Sequence, residues 1–327
     1  MEAPCVRVPR ERGEATRQAL AEAGALEETL RIDATEEWVY IPIDPEASLP
    51  TTDPVVTREL EPRSRQTLPE DVFGEPFTYE RLGTIALLDE DDTDRAERMA
   101  RALMESSLPI VSVLNRSSKV AGTYRVREWE LLAGETTETV HKEFGYEFCL
   151  DVTDVYFSPR LATERHRVIS QVDGDEHVFD MFAGVGPFVI PMTDRGAAGV
   201  GVDVNPAAIP YLEKNAVRND VADRLEAIND DVRDVAPAYA DWADRIVMNL
   251  PHTADAFLDV ATTLASTRCT LHYYDIQSDE DPFTPGEMAI RRVFEPAYEV
   301  AVLNRRVVRS YAPHEVNVCL DVDVRAG

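Results

Sequence analysis

Hydrophobic and polar positions follow two rhythms along this chain, and the change falls near Tyr156. Ahead of it, short strand-like runs are mixed with single helices. Residues 1 to 50 read as a strand (CVRVP), a helix with Ala and Leu at helical spacing (GEATRQALAEAGAL) and a hairpin (LRIDATEEWVYIPI), which predicts a small α+β unit. Repeated prolines over residues 45 to 71 predict a linker. Then come a short apolar run (TIALL), a helix opened by acids (DEDDTDRAERMARALMES) and a strand (PIVSVLN). A hairpin-like alternation (TVHKEFGYEFCLDV) leads this region to its close at Val155.

From Tyr156 onward, strands and helices take turns. HVFDMFA, AGVGVDVN, LEAINDDV and ADRIVMNLP read as strands, with GPFVIPMTDRG and PAAIPYLEKNAVRND as helices. That order predicts an α/β domain with a mostly parallel sheet covered on both faces. The expected divisions are therefore 1–62, 63–155 and 156–327.

An apolar fraction of 44% supports a sizeable core. The best apolar stretch, Met181 to Thr193, is too short and too broken by Gly and Pro to span a bilayer, and the N-terminus lacks an apolar signal core. A cytoplasmic protein with no membrane partner is expected. Cys5, Cys149, Cys269 and Cys319 are scattered with no C-x-x-C, so buried thiols are expected and no metal site. Charge changes the picture more. The formal net charge is −28, and of the 33 basic residues only Lys119, Lys142 and Lys214 are lysine. Acid excess with lysine nearly eliminated resembles proteins adapted to molar salt, so it does not exclude a nucleic-acid substrate. Against that background RSSKVAGTYRVR, residues 116 to 127, carries four basic residues and no acid.

Candidate chemistry gathers at the strand ends of the last region. Gly184 and Gly186 stand at the turn after the first strand, where backbone approaches a ligand closely, but the third glycine of the dinucleotide fingerprint is replaced by Pro187 and Phe188. Asp203, 19 residues past Gly184, ends the second strand where a carboxylate accepts from ribose hydroxyls, and Asn205 starts the next helix. Asp231 ends the third, placed to accept from an adenine amino group. Together these form a nucleoside cradle with no pyrophosphate site, which suits S-adenosylmethionine better than NAD. The fourth strand ends at Asn249, with Leu250 and Pro251 behind it: an amide oxygen on a stiffened turn, suited to a planar N–H-bearing group.

YFSPRLATER, DMFAGVGPFVIP, DVNPAAIPYLEKN, DRIVMNLP, HYY and VVRSYAP, in order over residues 116 to 313 with the TYRVR strand, resemble the tRNA (guanine-37-N1)-methyltransferases of archaea and eukaryotes. The resemblance implies a class I methyltransferase domain (Rossmann-like, mostly parallel sheet) preceded by small α+β tRNA-recognition domains. It also implies S-adenosyl-L-methionine as cofactor and a tRNA partner; a monomer is expected. By motif it implies Arg165, Asp180, Phe182, Gly184, Gly186, Asp203, Val204, Asn205, Asp231, Val232 and Asn249 as cofactor residues. Glu164 is the implied general base, Arg125 (or Arg127) the arginine on the guanine, and Tyr156, Asn249 and Pro251 hold the base. One departure stands out: Asp230 occupies a position where the family commonly has glycine, which leaves Asp230 and Asp231 as rivals for the adenine. Two other readings stay open: an aminocarboxypropyl transferase of wyosine synthesis on the same nucleotide, and an NAD-dependent oxidoreductase.

Overall fold

Val202, Ile246, Val247 and Met248 are wholly sealed from solvent, and runs this apolar form strands where a sheet is covered on both faces. In a computed structural model, which describes residues 1–63, 66–117, 127–295 and 297–327, the chain forms two compact units, Met1–Asp71 and Val72–Gly327. The first contains β1 (Glu2–Pro9), α1 (Gly13–Glu22), β2 (Asp33–Ala34), β3 (Trp38–Pro42) and β4 (Val55–Glu59), in a sheet of order β2-β3-β1-β4. Leu20 of α1 closes the core over Val6, Val8 and Ile41.

Strand β4 corrects the linker expectation. It lies inside the proline-rich stretch, yet pairs antiparallel with β1 from Val6↔Val55 to Glu2↔Glu59. Proline and charge are the composition of an edge strand as much as of a linker, because an edge leaves backbone groups unpaired and tolerates Pro54 at its entry.

The division falls within α2 (Pro69–Phe73); beyond it, β5 (Glu80–Leu82), β6 (Ile85–Leu88), β7 (Ser112–Arg116) and β8 (Trp129–Ala133) build a sheet of order β5-β6-β7-β8, with α3 (Thr93–Glu105) between β6 and β7. Asp92 caps α3 by accepting from the Arg95 backbone N–H at 3.0 Å. Next, β9 (Glu138–Glu143) and β10 (Tyr146–Asp151) form a hairpin whose turn residues, Phe144 and Gly145, both have positive φ.

The large sheet follows. Its elements are α4 (Ala162–Ile169), β11 (His177–Asp180), α5 (Val189–Asp194), β12 (Ala198–Asp203), α6 (Ala208–Arg218), β13 (Leu225–Asn229) and α7 (Val232–Val235). They continue with β14 (Ala243–Met248), α8 (Leu258–Leu264), β15 (Ala265–Ser278), α9 (Thr284–Phe294), β16 (Tyr298–Ala312) and β17 (Glu315–Ala326). The order is β13-β12-β11-β14-β15-β17-β16; the first five run parallel and the last two pair antiparallel. Leu258, Leu264 and Phe294 cover one face, over Phe179, Ile246 and Leu271. Val168 and Met192 cover the other, over Val178, Val247 and Tyr274. Chain order reverses between β11 and β14, and at such a switch point a crevice opens beyond the carboxyl ends of the strands. Among the described residues no helix is long and apolar enough to cross a membrane.

Candidate active site

That crevice is a cavity of about 260 Å³, and all four parallel strand ends named above reach it. The β11 turn supplies Phe182 and Gly184, β12 supplies Asp203, Val204 and Asn205, β13 supplies Asp230 and Asp231, and β14 supplies Asn249, Leu250 and Pro251. Gly184 has φ +53°, and a Cβ there would meet nothing nearer than the Tyr156 carbonyl at 3.9 Å, so backbone lies open to a ligand. Its N–H donates to Asp203 Oδ2 at 2.7 Å, while Asp203 Oδ1 accepts from the Asn205 N–H at 2.8 Å. Burial pushes the Asp203 carboxyl up, against those two bonds. Asn205 is held in turn, accepting from Ala207 N–H at 3.0 Å and donating to the Asp154 carbonyl at 2.8 Å.

Asp231 caps α7 through the Arg233 N–H at 2.9 Å and grips the Arg233 guanidinium at 2.9 and 2.5 Å, which holds its carboxyl below the usual range. Phe182 and Val232 supply apolar wall, with Phe257 edge-on to Phe182 at 5.1 Å. Arg165 also lines the cavity. Its Nε and Nη2 bond the two oxygens of Glu143 at 2.8 and 2.5 Å, and Nη2 reaches the Ser158 carbonyl at 3.0 Å. Although burial opposes ionisation of Glu143, Arg165 and His141 together outweigh it and hold the carboxyl low. Tyr156, 41% exposed, stands at the mouth.

Several expected residues are placed differently. Glu164 is buried but does not line the cavity. Its carboxylate accepts from Arg167 at 2.6 and 3.0 Å, from Tyr274 Oη at 3.1 Å and pairs with Arg306 at 2.9 Å. The reason is α4: the helix turns Arg165 toward the cavity and Glu164 toward the β15–β17–β16 face. Asp180 is also off the cavity wall, buried, with Oδ1 accepting from Phe182 N–H at 3.3 Å and Oδ2 without a partner among the described residues. Burial, with Asp203 nearby, pushes its carboxyl up to about 7. Gly186 is not on the cavity wall, and it is a packing position: a Cβ there would sit 2.5 Å from both Ile190 and Leu212. Arg125 lies outside the described residues; Arg127 is on the cavity wall.

The structure also adds residues that strand-end reading misses. Ile276, Asn317 and Arg309 stand opposite one another on β15, β17 and β16, and all three line the cavity. Arg309 and Tyr311 fall in the VVRSYAP motif, a visible signal; Asn317 had none. One row deeper are Tyr274, Cys319 and Arg306, then His272, Asp321 and Asn304. His272, Cys319 and Asp321 approach as a metal triad would, but guanidiniums occupy the space. Arg245 donates to His272 Nε2 at 2.8 Å, His272 Nδ1–H donates to Asp321 at 2.8 Å, and Arg167 grips the other Asp321 oxygen at 2.5 Å.

Comparison with known proteins agrees with this geometry. Residues 139–302 match the family described as TRM5/TYW2 methyltransferase domain, residues 5–48 the tRNA methyltransferase 5 N-terminal domain, and residues 64–137 the TYW2 N-terminal domain. The chain is similar to tRNA (guanine(37)-N(1))-methyltransferase Trm5b of Pyrococcus abyssi, 37% identical over 98% of both chains. It is similar to Trm5b of Methanocaldococcus jannaschii at 33% identity over 98% of both. A tRNA(Phe) (4-demethylwyosine(37)-C(7)) aminocarboxypropyltransferase of Pyrococcus horikoshii is 32% identical over 82% of this chain and 98% of its own. Among solved structures, Pyrococcus abyssi Trm5b superposes with a TM-score of 0.71 at 36% identity over 99% of both chains. A complex of aTrm5 and tRNALeu does so with 0.74 at 32% identity, over 98% of this chain and 99% of that one.

Proposed function

This chain belongs to the TRM5/TYW2 methyltransferase family, and from that premise we propose that it transfers a methyl group from S-adenosylmethionine to N1 of guanosine 37 in tRNA. The observation that carries the reading is the single cavity onto which the glycine turn, Asp203, Asp231 and the Asn249–Pro251 turn all open. Its residues fit the cofactor. Asp203 keeps lone pairs for ribose hydroxyls, Val204, Val232 and Phe182 offer apolar walls to an adenine, and Asp230 or Asp231 accepts from its amino group. Arg165, with Nε and Nη2 engaged, has Nη1 left for a carboxylate. Bound there, the cofactor supplies an electrophilic methyl group on sulfur.

The chain's own residues must orient the base and take a proton, because guanine N1 carries hydrogen at neutral pH. Asn249 accepts from the guanine edge, Pro251 stiffens its turn, Tyr156 packs on the ring, and Arg125 donates to O6, where negative charge develops. Glu164 takes the N1 proton on a carboxylate oxygen. For that its present contacts must change, and Arg306 is the partner placed to leave: its side chain is 44% exposed on β16, whereas Arg167 and Tyr274 are more deeply set.

Similarity over the whole length, including residues 5–48, favours methylation over aminocarboxypropyl transfer. The missing third glycine weighs against NAD chemistry. Residues 1–62 and 63–155 are proposed to recognise tRNA and 156–327 to catalyse, in a cytoplasmic monomer that light scattering should find near 36.6 kDa. The deciding experiment incubates the protein with labelled S-adenosylmethionine and unmodified tRNA and maps the product. Label as 1-methylguanosine at position 37 supports the reading; an aminocarboxypropyl adduct or no transfer defeats it.

A further inference from the structure

A second hollow of about 140 Å³ adjoins the cavity, and Arg127, Tyr156, Phe157, Ser158 and Arg309 line both. Its wall carries Trp129, with the Arg127 guanidinium 6.0 Å from the ring. The hollow's acids are already answered: Glu80 pairs with Arg160 at 2.8 Å and Asp89 with Arg116 at 2.5 Å. Arg309 stands where the two spaces meet, and its Nε is buried with no hydrogen-bond partner among the described residues. Directly opposite on the ladder is Asn317, only 3% exposed, whose Oδ1 is likewise buried and unpartnered.

A buried donor and a buried acceptor on facing ladder positions, without a hydrogen-bond partner among the described residues, cost stability unless a ligand satisfies both. That ligand must present an acceptor beside a donor, and continue on one side into a base-sized cavity and on the other toward an aromatic wall. An RNA nucleotide does so at its 3′ side, where the 2′-hydroxyl is vicinal to the phosphodiester. We propose that Asn317 Oδ1 accepts from the 2′-hydroxyl of the target guanosine while Arg309 donates to its 3′-phosphate, so that the next nucleotide enters the second hollow against Trp129. Arginine suits the phosphate because its planar fork bonds two oxygens at once, and an indole face takes any base. Reading the 2′-hydroxyl makes Asn317 a specificity residue for RNA over DNA. The inference rests on the proposed function for the identity of the substrate.

The test pairs variants with altered tRNA. Single-turnover kcat/KM is measured for wild type, Arg309→Met and Asn317→Leu on tRNA carrying guanosine 37, 2′-deoxyguanosine 37, or a neutral methylphosphonate on its 3′ side. The methylphosphonate should cost wild type roughly tenfold or more, the scale of a lost charged hydrogen bond, and the deoxy sugar roughly fivefold, the scale of a neutral one. Methylphosphonate should cost Arg309→Met nothing further, nor the deoxy sugar Asn317→Leu. Arg309→Met should also lower the salt slope of tRNA binding by about one, with cofactor affinity unchanged in both variants. Additive losses, or weakened cofactor binding, would overturn the proposal. Should Asn317→Leu fail to fold, a full rate of wild type on the deoxy substrate overturns it alone. If wild type transfers no methyl to guanosine 37 at all, the proposed function falls and this inference with it.

Discussion

Asn249 is the first residue past β14, held by Leu250 and Pro251 at the cavity wall. Asn249→Ala should cut turnover at saturating substrate by at least about tenfold, a lost buried hydrogen bond, with the melting temperature unchanged; near-normal turnover would reduce the turn to a structural one. Glu164→Gln is expected to bind cofactor and tRNA normally, slow single-turnover transfer by about 10²-fold and flatten its rise with pH. An unchanged rate and profile would remove Glu164 from the mechanism. Asp180 gives a sharper pH signature. Its carboxyl sits near 7 when folded, against about 3.9 when unfolded, so the native state binds the extra proton between those values. Stability therefore falls as pH rises from about 4 to about 7 and levels off above. Asp180→Asn should melt higher than wild type at pH 8 and lose that slope, at about 1.4 kcal/mol per pKa unit; identical slopes would contradict the assignment. Gly184, Asp203 and Asn249 were legible because a strand followed by a turn residue is a local pattern. Glu143 and Asn317 were not, since a hairpin and the β15–β17–β16 ladder bring them in from afar. The side of α4 that Glu164 faces depends on the same distant strands.

At the scale of elements, the alternating strands and helices after Tyr156 could be read because buried parallel strands are continuous apolar runs. Strand β4 could not, because an edge strand dresses like a linker. Glycines are similarly ambiguous in sequence. Gly186, at φ +93°, has Ile190 and Leu212 where a Cβ would go, so it lets α6 pack closely on the turn. Gly186→Ala is expected to lower stability by about 1–3 kcal/mol, as overpacking and a strained backbone do. Cofactor affinity should change little. A loss of affinity with the melting point intact would return Gly186 to the binding surface.

For the whole molecule, charge dominates. With 61 acids against 33 basic residues, carboxylates repel wherever solvent does not screen them, and at about 1 M salt the Debye length shrinks to ~3 Å. The fold should be lost in dilute buffer and return as salt rises, followed by circular dichroism; a stable fold at low salt would sink the adaptation reading. Binding to tRNA should persist at molar salt through stacking and paired arginine contacts, where contacts made by bulk charge fade.

Strand β4 has a last implication. Among the described residues, β4 closes back on β1, and the sheet of order β2-β3-β1-β4 takes all its strands from residues 2–59. The front of the chain is thus a detachable cassette. A chain shortened past β4 would surrender one whole sheet and leave every described strand of the other sheets with the neighbours it has now, so the remainder should still fold and load cofactor.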